Sequence, residues 1–129
     1  MSANKVLYDD TTYLEDFDFK GKTLIASQGN NDVSMIMIYS SGCPHCINAI
    51  PEYDKLAKKM KRDKGVKIYA IQADGERDSE KKLGAKVRDI VPGFKGYPTF
   101  VVFKNGSYVK SFEGARTAEN FEKFIQEHK

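Results

Sequence analysis

Residues 34–129 predict an α/β fold in which a central mixed β-sheet is flanked by helices on both faces. Three observations lead there. Short apolar runs (Ser34 to Tyr39, Val66 to Ile71, Thr99 to Phe103) alternate with longer segments of helical period; Asn105-Gly106 then turns the third run back, and a last amphipathic segment closes the chain. Strands alternating with helices imply parallel pairing, and the closing hairpin adds antiparallel pairing to the same sheet.

Residues 1–33 have no clean period and are taken as an N-terminal segment of the same domain. Val6-Leu7-Tyr8 reads as a short edge strand, and Tyr13, Leu14, Phe17 and Phe19 supply apolar anchors. Lys20-Gly21-Lys22 is a turn before Thr23-Leu24-Ile25-Ala26, and Gln28 to Asp32 is a loop. Helix and hairpin stay open as alternatives for this segment.

From Ser34 the pattern is firmer. Ser34 to Tyr39 is apolar on successive residues, as in a strand covered on both faces. A helix from about Cys43 to Arg62 follows, with Pro51 in its interior expected to kink it and Gly65 expected to end it. Val66 to Ile71 is the next strand. Asp78 or Ser79 is expected to cap a helix with Leu83, Val87 and Ile90 on one face. A loop through Gly93, Gly96 and Pro98 delivers the strand Thr99 to Phe103, and Asn105-Gly106 predicts a tight hairpin with Tyr108 to Phe112 returning. Thr117 then caps a helix whose Phe121, Phe124 and Ile125 share a face. In such an open sheet the working site lies at the C-terminal end of a central strand, where Cys43 falls.

Composition narrows the partners. The 129 residues suit one domain, and 21 basic against 18 acidic residues leave a net charge of +3 with both signs interspersed. That balance argues against nucleic acid or a membrane surface as a partner. The run Lys55 to Lys64 is basic but carries Asp63 and follows Glu52 and Asp54, so it reads as a solvated helix face. The longest apolar run, Met35 to Tyr39, is five residues, far too short to span a bilayer. Asp9, Asp10, Glu15 and Asp16 interrupt any signal-peptide core, so a cytoplasmic location is expected.

The chemistry concentrates in Cys43-Pro44-His45-Cys46, which holds both cysteines of the chain. At the start of a helix, orphan N–H groups and the helix dipole favour a thiolate. Sites of this kind lower a thiol pKa from about 8.5 to roughly 3.5–7.5. Cys43, nearer the N-terminus, is therefore expected to attack, and Cys46 to resolve the mixed disulfide from within. Pro44 preorganises the first turn, and His45 can donate to the Cys43 sulfur. No cofactor beyond a redox-active Cys43–Cys46 disulfide is expected. A zinc site competes as a reading, with Cys43, Cys46 and His45 as ligands, but a closed site wants four and only His128 remains. A redox-inert structural pair is the other alternative.

These motifs in register resemble the thioredoxin superfamily, within it the thioredoxin-like and protein disulfide isomerase-like single domains. Pro51 stands where the family kinks its active-site helix. Gly96-Tyr97-Pro98-Thr99 resembles the family's cis-proline loop, and Phe103 to Gly106 and Gly114-Ala115-Arg116 also fit. The resemblance covers Ser34 to His128 and implies a substrate-binding role for Gly96, Tyr97 and Pro98. Three departures stand out. Gly42 replaces the usual Trp, Met37 replaces the usual buried acid, and Ala70 replaces the Lys that partners it. The resemblance thus implies a thiol–disulfide oxidoreductase acting on protein thiols and disulfides, recharged by a redox partner, and the departures lean it toward oxidation or isomerisation. A general disulfide reductase and a redox-independent binding module are the alternatives.

Overall fold

The computed structural model describes residues 10–129, so the expected strand at Val6-Leu7-Tyr8 lies outside the described residues. A five-stranded mixed sheet runs in the order β1-β5-β4-β6-β7. Its strands are β1 (Thr12–Tyr13), β4 (Val33–Tyr39), β5 (Val66–Gln72), β6 (Thr99–Lys104) and β7 (Ser107–Ser111). β2 (Phe19–Lys20) and β3 (Thr23–Leu24) form a separate small hairpin. The helices are α1 (Pro44–Met60), α2 (Asp78–Ile90) and α3 (Ala118–Glu127).

β4 is the axis of the molecule. All seven of its residues are buried, because neighbouring strands flank both edges and helices cover both faces. It runs parallel to β5 and antiparallel to β6. Its odd-numbered side chains, Val33 to Tyr39, join the core formed with α1 and α3; Ile36 and Ile38 point to the opposite core beneath α2. The two periods predicted from sequence meet here: alternate strand residues face alternate layers, and each helix presents one apolar stripe.

α1 buries Cys46, Ala49, Tyr53, Leu56, Ala57 and Met60, and each fully buried large side chain contributes about 1.5–3 kcal/mol. The Tyr53 hydroxyl is satisfied by donation toward the carbonyls of Tyr69 at 2.6 Å and Met35 at 3.2 Å, which ties the helix to the sheet. Thr117 caps α3, its hydroxyl accepting from the Asn120 amide at 3.1 Å, and Phe121, Phe124 and Ile125 are buried as expected.

Several boundaries differ from the sequence expectation. α1 stops at Met60 rather than at about Arg62, because the chain leaves it through a turn in which the Asp63 amide donates to the Met60 carbonyl. Neither Asp78 nor Ser79 is the cap of α2. Arg77 holds that position, with its amide donating to Glu80 at 3.3 Å, while the Ser79 hydroxyl reaches Glu15 instead. The open alternative for the N-terminal segment resolves to a hairpin with 3-10 turns at Asp16–Asp18 and Ile25–Ser27. Its far end is tied to the Asn105-Gly106 turn, where the Gly106 amide donates to the Ser27 hydroxyl at 2.6 Å. Both turn residues have positive φ, as this tight hairpin requires.

Candidate active site

The C-terminal ends of β4 and β5 and the start of β6 converge on one edge of the sheet. Past Tyr39 the chain turns through Ser40, Ser41 and Gly42 into α1, and Cys43 is the residue immediately outside the helix. Its sulfur accepts a hydrogen bond from the Cys46 amide at 3.2 Å, filling the place of a capping side chain. Pro44 occupies the first helical position, where its missing N–H costs nothing.

The turn is clamped from β5. Asp74 accepts from the Ser41 amide at 3.0 Å and from the Ser41 hydroxyl. Gln72 donates to the same carboxylate at 3.2 Å and accepts from the Tyr39 hydroxyl at 3.3 Å; Tyr39 in turn is bonded to the Tyr13 hydroxyl. Burial alone would raise the Asp74 pKa, but the hydrogen bonds from Ser41 and Gln72 outweigh it and hold the carboxyl below its usual range. Sequence reading missed this network. Register would have revealed it, since Tyr39 and Gln72 are paired and Ser41 and Asp74 each lie two residues further on.

The two sulfurs have different surroundings. Cys43 is half-buried and Cys46 is fully buried; both are free thiols. Burial pushes the Cys46 thiol up to about 12, helped by its hydrogen bond to Cys43. The Ser40 backbone and the Arg116 guanidinium pull the other way without reversing it. Cys46 shares its core with Met37, Ala70 and Phe100, and the sheet register sets Met37 beside Ala70 on one side and Phe100 on the other. The two positions where an acid and its Lys partner were expected by resemblance are thus direct neighbours, and both are apolar.

Pro98 arrives from the other side. β6 pairs Thr99 with Ile38, so Pro98 stands one step beyond, level with the end of β4. The Tyr97–Pro98 peptide is cis, and the Cys43 sulfur lies 3.7 Å from the Tyr97 carbonyl oxygen. The Gly96 carbonyl accepts from the Thr99 hydroxyl. Tyr97 is 40% exposed and stacks edge-on against Phe94 with ring centroids 5.4 Å apart; Ile47, one turn into α1, is 52% exposed. His45 is exposed and makes no hydrogen bond to the Cys43 sulfur, so that expected contact is absent among the described residues. Among them, too, no group of three or more His, Cys, Asp or Glu side chains is placed to hold a metal ion.

The thioredoxin family model matches residues 13–127. The chain belongs to the thioredoxin family. The match takes in the N-terminal hairpin, which the sequence motifs reached only loosely. A thioredoxin-like protein of Invertebrate iridescent virus 6 is 36% identical over 121 residues, covering 85% of this chain and 87% of that one. Protein disulfide isomerase-like 2-2 of Oryza sativa subsp. japonica is 34% identical over 99 residues; the match covers 76% of this chain but 24% of the plant protein. Among solved structures, thioredoxin f2 of Chlamydomonas reinhardtii superposes with a TM-score of 0.64 at 19% identity, covering 92% of this chain and 95% of that one. The J-Trx1 fragment of ERdj5 gives 0.67 at 22% identity, covering 92% and 51%. These likenesses support the mixed-sheet fold with helices on both faces. No helix among the described residues is long and apolar enough to cross a membrane.

Proposed function

We propose that this thioredoxin-family chain is a thiol–disulfide oxidoreductase that works on protein thiols and disulfides through Cys43 and Cys46, and that it favours isomerisation over fast reduction. The observation that carries this reading is a fully buried Cys46 thiol, pushed up to about 12, in a core where the paired residues Met37, Ala70 and Phe100 are all apolar. Reduction needs Cys46 to attack as a thiolate, and no carboxylate at residue 37 or amine at residue 70 is there to take its proton. A high-pKa thiol is also a poor leaving group, so oxidation, in which Cys46 must leave, is slowed as well, and isomerisation, which uses Cys43 alone, is the faster route.

Isomerisation avoids that step. Cys43 thiolate attacks a substrate disulfide, forming the Cys43–substrate bond and releasing one substrate thiolate. A second substrate thiolate then attacks the substrate sulfur of the mixed disulfide and expels Cys43. Both steps use Cys43, and no net oxidation occurs. Oxidation runs from the Cys43–Cys46 disulfide, transfers two electrons from a substrate dithiol to it, and requires a redox partner to restore the disulfide. Pro44 shapes the first turn, and Gly96, Tyr97 and Pro98 supply the edge along which a substrate segment lies beside Cys43.

Refolding of a scrambled-disulfide protein, compared with reduction of insulin, tests the reading. Cys46→Ser should keep reshuffling within about a fewfold of the parent while losing reductive turnover. Equal loss of both would mean that Cys46 is the working partner and would overturn the isomerase assignment. A reduction potential near −180 to −120 mV supports it, and one near −270 mV supports a reductase.

A further inference from the structure

Beyond the edge that faces Cys43, Pro98 also forms part of a groove of about 370 Å³. One wall comes from the loop before β6 and carries Phe94 and Lys95; the other comes from the segment between β7 and α3 and carries Phe112, Glu113 and Arg116. The volume lies in the roughly 300–1,000 Å³ range of binding clefts. Gly96 borders the Lys95 side, and no atom lies within 4 Å of where its Cβ would stand, so the backbone there is open to another chain.

The charges in this groove are not neutralised from within. Lys55, Lys59 and Lys86 are held by Glu52, Glu122 and Asp16, whereas among the described residues neither Lys95 nor Arg116 has a carboxylate within ion-pair distance. Glu113 lines the same groove and has no cation within ion-pair distance among the described residues, which leaves two cations against one carboxylate. Arg88, 5.5 Å over the Phe94 ring, adds a third cation behind one wall. The cations on the two walls face a common space next to the reacting sulfur's partner loop.

We propose that this groove selects extended protein segments that carry carboxylates next to their reacting cysteine, with Lys95 and Arg116 reading the acid from opposite walls. The assignment rests on the exchange reading above and names the class of substrate it prefers. Exposed ion pairs are individually weak, so the selection acts on encounter and on the lifetime of the docked segment.

The test uses the full chain and three peptides of equal length whose single cysteine is flanked by Glu, Ser or Lys and joined by a disulfide to 5-thio-2-nitrobenzoate. Cys43 thiolate attacks the peptide sulfur; the Cys43–peptide disulfide forms, the old disulfide breaks, and the coloured thiolate leaves with the electron pair. Each rate is divided by the rate of the same peptide with β-mercaptoethanol, which removes intrinsic reactivity. The acidic peptide should react about three- to tenfold faster than the basic one at low salt. The ratio should move toward one in 1 M salt, where charges are screened beyond about 3 Å. Lys95→Glu should abolish or reverse it. A ratio below about twofold, or one that Lys95→Glu leaves in place, overturns the groove assignment while the exchange reading stands. Release from none of the peptides overturns both.

Discussion

Cys43 and Cys46 are three residues apart, yet they work under opposite conditions. Cys43 sits outside the helix with an amide donor aimed at its sulfur and a carbonyl from the Pro98 loop 3.7 Å away. Cys46 sits one turn inside, fully buried, with its thiol pushed up to about 12. The same helical turn thus gives one sulfur a hydrogen-bond donor and access to solvent and the other a desolvation cost. The difference teaches that a Cys-x-x-Cys pair is not one reactive unit: the side of the turn, and what lies beneath it, sets which half of the exchange is fast.

The largest expected effect comes from removing the more accessible member, Cys43. Cys43→Ser should lower every exchange activity by several orders of magnitude, whereas Cys46→Ser should still react once and accumulate the mixed disulfide, visible by mass spectrometry. Next is Met37→Glu, which puts a carboxylate in the core that holds Cys46. It should speed resolution at pH 7 by about 10²-fold, and it should cost about 3 kcal/mol of stability by denaturant unfolding because Ala70 offers no partner charge. No gain in rate would show that proton removal at Cys46 is not the slow step.

Stability against pH sharpens the same contrast. The Cys46 pKa is raised in the folded state, so its contribution is fully present below the unfolded thiol pKa of about 8.5 and is lost as pH rises from there toward 12. The melting temperature of the reduced parent should fall across that range, and Cys46→Ala should flatten the fall. Asp74 has the opposite sign. Its pKa is lowered, so its contribution is present above about pH 4 and is lost as pH falls through the lowered value. Asp74→Ala should cost about 1 kcal/mol at pH 7, less at pH 3, and should loosen the Ser41 turn. The smallest effect tests the frame rather than the site. A Cβ at Gly84 would lie 2.5 Å from the Ala73 carbonyl oxygen at the end of β5. Gly84→Ala should therefore lose about 1–3 kcal/mol to overpacking against about 1 kcal/mol gained in helix propensity.

Much of this arrangement was legible in the residue pattern. The uninterrupted apolar run of β4 predicted its central place, and Asn105-Gly106 predicted the hairpin because few other pairs accept positive φ twice in succession. Cys43 stood out as a candidate through its spacing at the start of a helix, whereas Pro98 was singled out only by the family resemblance. What was not legible is long-range. Arg116 lies 70 residues from Cys46 in the chain, and only the fold brings its charge to bear on that thiol. The Asp74 clamp depends on exact strand register, which periodicity does not supply. The start of α2 was missed because Glu80 satisfies the Arg77 amide from three residues ahead, so a non-capping residue can hold the boundary. His45 was assigned a contact with Cys43 from adjacency alone, but on a helix the next residue faces away.

The central claim is that Cys46 is the slow partner because its proton has nowhere to go. Stopped-flow resolution of a preformed mixed disulfide at Cys43, followed from pH 6 to pH 10, tests it most directly. A thiol titrating near 12 should resolve slowly at pH 7 and accelerate about tenfold per pH unit without levelling off. A rate that is already fast at pH 7 and reaches a plateau below about pH 8 would contradict the account.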